Sequence, residues 1–312
     1  MPASRGWLLE LGGLLRRAAR ELANNDPLRL GAATAFFASF ALPPILIILI
    51  QGLGAVSSSS ASDIQMLLLA KLGRLLGAPA TGLLSQILHN VRDIGRSRLI
   101  TVLGSGFLLF VATTLFIVIQ HSLNQLWHVR ARRRAGPLGV ALRERLRAAG
   151  VLLATAALTL LAFAADAALS LFAEFISDFD ASFAYYLVRA LNVLVGLAIL
   201  MAWCGYIFRT LSAAKVPWRA VSRGALLTAV LISLGELALG RLLVARDLGP
   251  IYGPASSLVL VLLFVFYSAL IFYFGACFTK VYAHRVGLDI RPKKSAVRYE
   301  LVNVEEGLSL EG

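Results

Sequence analysis

The sequence predicts an all-α fold: a polytopic membrane protein with six transmembrane helices plus amphipathic surface helices. Three observations predict it. Hydrophobic residues make up 58% of the 312-residue chain and charged residues only 15%, against about 25% charged in an ordinary soluble domain. Mean hydropathy is +0.78, and a lipid bilayer solvates that much apolar surface where water would not. The apolar residues gather in six stretches of about 20 or more, the length needed to cross a hydrocarbon core ~30 Å thick. Finally, 20 of the 30 Lys and Arg residues fall on the termini and alternate connections, and two more, Arg223 and Lys280, in the terminal turns of the spans adjoining them, making 22 on that side against 6 on the opposite side. Basic connections stay on the cytoplasmic side, so both termini are expected there. The net charge of +13 would by itself point to nucleic acid, but that topology accounts for it.

The elements follow in chain order. Residues 1–32 form a cytoplasmic N-terminal segment. Within it, Trp7, Leu11, Leu14, Leu15, Ala18 and Leu22 recur at helical spacing, with Arg16, Arg17 and Arg20 mostly on the other face. This amphipathic helix lies on the membrane surface or packs against the bundle. No short apolar core precedes a small-residue cleavage site, so the first apolar span is expected to stay as an anchor. That span, 33–56, carries Pro43-Pro44, which remove backbone donors and predict a kink. Residues 57–60 are a serine connector. An outer helical hairpin is expected at 62–95, its two amphipathic halves separated by Gly77-Ala-Pro79.

The second span is 99–120. The connection after it reads HVRARRRAG, in which Arg130, Arg132, Arg133 and Arg134 are either topology determinants or contacts for anionic lipid headgroups. The remaining spans are 149–171, 183–208, 220–244 and 256–283. A polar tail, 286–312, is expected to be disordered and cytoplasmic. Gly104, Gly106, Gly235 and Gly240 are expected to allow close helix approach, and Tyr267, Ser268 and Tyr273 to make interhelical contacts. Trp127, Trp203 and Trp218 suit interface belts. Cys204 and Cys277 lie in apolar segments and are expected to be reduced, inert thiols.

Charged groups inside spans are costly and usually face protein. Asp166 lies in the third span, Arg189 in the fourth, and Glu236 and Arg241 in the fifth. Counted from the span ends, Asp166, Arg189 and Glu236 are roughly 8, 9 and 12 Å below the outer boundary, with Arg241 shallower. Asn192, three residues after Arg189, shares its face. These five residues form the candidate substrate cavity between helices three, four and five. The competing reading is an ion pair that fixes helix register.

Catalytic and cofactor motifs are missing from the sequence. His89, His121, His128 and His284 are scattered, with no His-x-His or His-Glu-x-x-His pair, no Gly-x-Ser-x-Gly elbow and no phosphate-binding loop. The acidic residues do not cluster as a metal-dependent nuclease would need. Neither catalysis nor a metal or cofactor is expected.

Four stretches together resemble one family: AATAFFASFALPPILIILI at 32–50, LNQLWHVRARRR at 123–134, VPWRAVSRGALL at 216–227, and IYGPASSLVLVLLFVFYSALIFYFGACF at 251–278. In order and spacing they are similar to the YihY/BrkB family of bacterial inner-membrane proteins, once labelled ribonuclease BN. The resemblance covers about residues 25–285. It departs where Phe40-Ala-Leu-Pro43-Pro44 stands in place of a Ser-Leu-Phe-Pro pattern, and where Cys277-Phe278 follow the last Gly-Ala. It implies six spans in the inner membrane, and for some members lipid movement or envelope integrity. The expected function is binding or translocation of an amphipathic lipid or other anionic envelope substrate. The alternative is a non-transporting scaffold for envelope integrity, and the ribonuclease label finds no site here. The expected partners are membrane lipids, with an envelope protein or further copies of the chain in the scaffold reading, and no nucleic acid.

Overall fold

The computed structural model describes residues 3–56, 98–131, 137–177, 181–244, 256–293 and 296–299, with the single positions 66 and 85. An N-terminal helix, α1 (Ala3–Ala23), precedes six long ones: α2 (Pro27–Val56), α3 (Arg98–Leu126), α4 (Pro137–Ser177), α5 (Ala181–Thr210), α6 (Trp218–Val244) and α7 (Ser256–Arg285). Each of the six predicted spans falls inside one of these six helices. The helices run longer, most of all α4, because hydropathy marks only the part that lipid would solvate. Backbone hydrogen bonding continues into the flanking polar turns.

Among the described residues, four helices are long and apolar enough to cross a membrane: Glu144–Leu169, Tyr186–Thr210, Trp218–Ala238 and Leu258–Arg285. Pro27–Leu42 is a shorter apolar helix, although α2 is helical from Pro27 through Pro43-Pro44 to Val56. The predicted outer hairpin lies outside the described residues, except Met66 and Ser85, both helical.

The six helices close a ring in chain order. Each packs on the next, and α7 returns to α2, while α1 lies along α7. Of the two placements open for α1, the structure adopts the packed one. Leu14 and Ala18 are buried in the core, with Leu11, Leu15 and Leu22 against it.

Four short strands gather at the end of the bundle that holds both described chain ends, termed the termini end. They are β1 (Val129–Ala131), β2 (Ala214–Lys215), β3 (Arg291–Pro292) and β4 (Ala296–Arg298). β1 pairs antiparallel with β4, Arg130 opposite Val297, and β2 pairs with β3, Lys215 opposite Arg291. This corrects the expectation of a disordered tail from 286, as far as residue 299. Ile290 and Ala296 join the core, and the two loops supply backbone partners that a polar composition does not reveal. Lys293 closes the clamp. Its ammonium donates to the carbonyls of Thr210, the last residue of α5, at 3.2 Å and Ser212, just past it, at 2.6 Å. Burial, with Arg147 and Arg209 nearby, pushes its amine down to about 8.

The core is concentrated toward the termini end. Trp127 is buried and donates through Nε1 to the Ala276 carbonyl at 3.1 Å, and its ring meets Phe208 edge-on. Trp127 therefore belongs to the core and not to an interface belt. Trp203 donates to Thr155 Oγ1 at 3.0 Å, and Trp218 is exposed beside the Arg209 guanidinium. Cys204 and Cys277 are free and buried.

α6 and α7 pack closely at two glycines. A Cβ on Gly224 would overlap Thr279 Oγ1, and one on Gly275 would overlap Thr228 Oγ1. Each helix presents Gly-x-x-x-Thr to the other, so two backbones meet where small residues permit it. Gly235 does the same against the Tyr267 ring. Gly106 does not: nothing lies within 4 Å of the Cβ it lacks. Tyr273 is fully buried and shares a 2.6 Å hydrogen bond with Thr34 of α2. Tyr267 donates to the Ile232 carbonyl at 3.2 Å, while Ser268 Oγ is buried without a partner.

Candidate functional site

Two contacts set the relative heights of the helices that carry the predicted site. The Trp203–Thr155 bond marks one level on α5 and α4. Asp166 and Asn192 are each eleven residues from that mark, so both lie roughly 16 Å away, on the side remote from the termini end. A Cβ on Gly205 would touch Val221 at 3.6 Å, which aligns α5 with α6. Counted from there, Arg189 and Glu236 are roughly 24 and 22 Å away. Asp166, Arg189, Asn192 and Glu236 therefore form a band at similar heights on three successive helices. Arg241 belongs to α6 one turn beyond Glu236, and its side chain lies outside the described residues.

Burial changes sharply between this band and the termini end. On α5, every described side chain from Tyr186 to Trp203 is partly or fully exposed, and the buried ones begin at Cys204. On α6 the last buried residue among the described side chains is Ile232, four residues before Glu236. α4 shows the same, with Ala148, Val151 and Leu152 buried and none among the described positions beyond. Arg189 and Asn192 are exposed, whereas Asp166 and Glu236 are half-buried. Asp166 and Arg189 are both engaged in interactions, and Glu236 is within electrostatic reach of Tyr267 on α7. Sequence spacing alone does not associate Tyr267 with Glu236.

Of the predicted headgroup contacts, Arg130 is exposed on β1. Arg132, Arg133 and Arg134 lie outside the described residues.

A second polar centre, at the termini end, has no counterpart among the sequence-based expectations. Lys280 of α7 is buried, and its ammonium finds three acceptors: the Glu21 carboxylate of α1, the Leu126 carbonyl at 2.9 Å and His128 Nδ1 at 3.3 Å. An ammonium has three donors and no acceptor, so this arrangement satisfies it completely. No sequence signal links Glu21 to Lys280, because the two are brought together only by α1 lying on α7. His128 has a backbone φ of 51°, a left-handed conformation uncommon outside glycine, in which Asn, Asp and His are the most frequent exceptions. Its carbonyl accepts from the Tyr299 amide at 3.1 Å, and its ring meets the Tyr299 ring. One junction thus ties α1, α3, α7 and the tail.

For Nδ1 to accept from Lys280, the imidazole must be neutral. Burial first, then the Lys280 charge, lowers the His128 pKa below its ordinary 6.5. The unfolded chain therefore takes up a proton before the folded one does. The stability that this histidine provides is present above about pH 6.5 and is lost as pH falls through its lowered folded value. Thermal unfolding in detergent should show a lower midpoint at pH 5 than at pH 7.5. His128→Asn, which keeps the left-handed turn, should flatten that difference. An unchanged pH profile in the variant would remove His128 from the explanation.

Among the described residues, no group of His, Cys, Asp and Glu could hold a metal ion. No solved structure matches the chain. A curated relative, a UPF0761 membrane protein of Chromohalobacter salexigens, is 29% identical over 133 residues, which are 42% of this chain and 31% of that protein. The match thus spans about a third of the relative's length. A family model described as virulence factor BrkB matches residues 18–300. That interval takes in α2 to α7, the Lys280 junction and both strand pairs, and the chain accordingly belongs to the YihY/BrkB family of membrane proteins.

Proposed function

We propose that this chain crosses a bacterial inner membrane six times, with both termini in the cytoplasm, and binds or translocates an amphipathic anionic lipid or a related envelope substrate without catalysing a reaction on it. The single observation that carries this reading is the polar band. Asp166, Arg189, Asn192 and Glu236 lie at similar heights where α4, α5 and α6 bury almost nothing among the described residues. A cation in a membrane segment is costly unless it meets protein, water or an anionic ligand. A loosely covered band with an arginine facing outward suits the phosphate of a lipid entering from the side. The 22-to-6 split of basic residues supports the orientation, and the family's membrane setting supports the compartment.

The test is a flipping assay in proteoliposomes that contain fluorescent phosphatidylglycerol. The wild-type protein should accelerate its exchange between leaflets, and Arg189→Ala should slow that exchange at least tenfold, about 1.4 kcal/mol of lost interaction. An equal rate in the variant overturns the role given to the band. Absence of any flipping by the folded wild-type protein would favour the scaffold alternative.

A further inference from the structure

The groove between α1 and the last turns of α7 is separate from the polar band. It is an open groove of about 510 Å³, lined by Arg17, Arg20 and Glu21 of α1 and Asn24 just past its end, facing Lys280, Val281, His284 and Arg285 of α7. The helical repeat builds it. Arg17, Arg20 and Glu21 of α1 and Asn24 just past it recur at three- and four-residue steps, beside the separate stripe of Leu14 and Ala18 that faces the core. On α7 the four occupy two adjacent positions and the pair one turn later.

The lining carries four permanent cations and one carboxylate. That carboxylate is already bound to Lys280. Arg285 meets Glu10 at 2.9 Å in an exposed pair. Arg17 and Arg20 are exposed and make no ion pair with any described residue. Two helices also end here, and their C-terminal dipoles favour some positive charge. Each of those ends already has a cation in its own last turn, Arg20 on α1 and Arg285 on α7. Arg17, one turn earlier, and the groove itself remain unexplained by the dipoles.

We propose that this groove binds a phosphate-bearing anion, held by the guanidinium groups of Arg17 and Arg20 with Arg285 closing the opposite wall. Guanidinium forks match phosphate oxygens in pairs, and the volume lies within the range of ligand sites. Two sources carry that group, an anionic phospholipid headgroup and a free phosphate compound. Position favours the lipid. Lys280 to Arg285 form the end of the apolar stretch Leu258–Arg285, the height at which a membrane places its phosphates. The groove is also roughly 30 Å along α5 from Arg189, so this site stands whether or not the band moves a substrate.

The experiment uses the full-length chain carrying Arg189→Ala, so that the band does not contribute, purified in a neutral detergent. Native mass spectrometry reads adducts during titration with phosphatidylglycerol, phosphatidylcholine, glycerol 3-phosphate and inorganic phosphate. Phosphatidylglycerol should bind at least tenfold more tightly than phosphatidylcholine. Arg17→Gln with Arg20→Gln should abolish that preference while moving the unfolding midpoint by no more than a few degrees, since both side chains are exposed and only Arg20 faces a helix dipole. Asn24→Glu, which puts a carboxylate into the groove, should weaken phosphatidylglycerol tenfold and serves if the double variant misfolds. Displacement of the lipid by millimolar phosphate, or saturation by glycerol 3-phosphate alone, assigns the site to a free phosphate compound. Equal binding of both lipids, or a preference that survives both sets of substitutions, overturns the site.

Discussion

Lys280→Met is expected to destabilise the folded protein by about 2–4 kcal/mol, far more than an ordinary surface substitution. Methionine fills nearly the same space and donates nothing. The Glu21 carboxylate, the Leu126 carbonyl and His128 Nδ1 would all lose the donor they share. The cost is set below the full penalty for a stranded buried charge because Glu21 keeps 27% of its side chain exposed and can recover some hydration. Glu21→Gln should cost less than Lys280→Met, since the ammonium would keep its carbonyl and imidazole acceptors. Removing both charges, as Glu21→Leu with Lys280→Met, should restore part of the stability. Arg285→Ala, at the exposed Glu10 pair on the same helix, should change it by no more than about 0.5 kcal/mol. Equilibrium unfolding of the four variants in detergent checks the order. If Lys280→Met matches Arg285→Ala, the junction contributes little.

The second large effect is expected where α6 meets α7. Gly275→Ala places a methyl group on Thr228 Oγ1, with Thr228 Cβ only 3.0 Å away and the Gly224 carbonyl at 3.4 Å. Thr228 cannot easily rotate aside. It is branched at Cβ, and its hydroxyl donates to the Gly224 carbonyl at 2.8 Å. The helices must separate, at a cost of about 1–3 kcal/mol. Thr228→Ala alone should be mild, because the bond it loses lies within one helix. Combined with Gly275→Ala it should recover a part of the loss, leaving a tight methyl-to-methyl contact. The mirror pair, Gly224→Ala with Thr279→Ala, should behave alike. If the double variants are as unstable as the sum of the singles, the Gly–Thr contact is not what holds the helices together.

Both effects arise from partners that the sequence does not name. Gly106 and Gly235 look alike in an apolar helix, yet of the two it is Gly235 that receives a neighbour, the Tyr267 ring. Gly224 and Gly275 are each followed four residues later by threonine. That spacing is a legible signal for a helix crossing, but it names no partner. The tail shows the same limit. Leu288, Ile290, Ala296 and Val297 are too few to stand out in a polar segment, and they gain structure because β1 and β2 offer unpaired backbone edges nearby. The polar band is more legible. Its residues are identified by their cost in an apolar span, and a 3.6-residue helix converts sequence position to height almost linearly. What height does not supply is direction. Arg189 and Asn192 share a face, as their spacing implies, but how little of α5 is covered at that height depends on where α4 and α6 stand.

The sequence by itself determined the helices, their order and the membrane setting, because hydrophobicity and helical period act locally and repeat over many residues. Only the tertiary structure decided the ring closure of α7 onto α2, the seat of α1, the Glu21–Lys280–His128 junction and the arginine-lined groove. Each of these depends on one side chain meeting one partner far away in the chain. A single polar contact has no periodicity, so it leaves no pattern in the sequence until packing brings its two halves together.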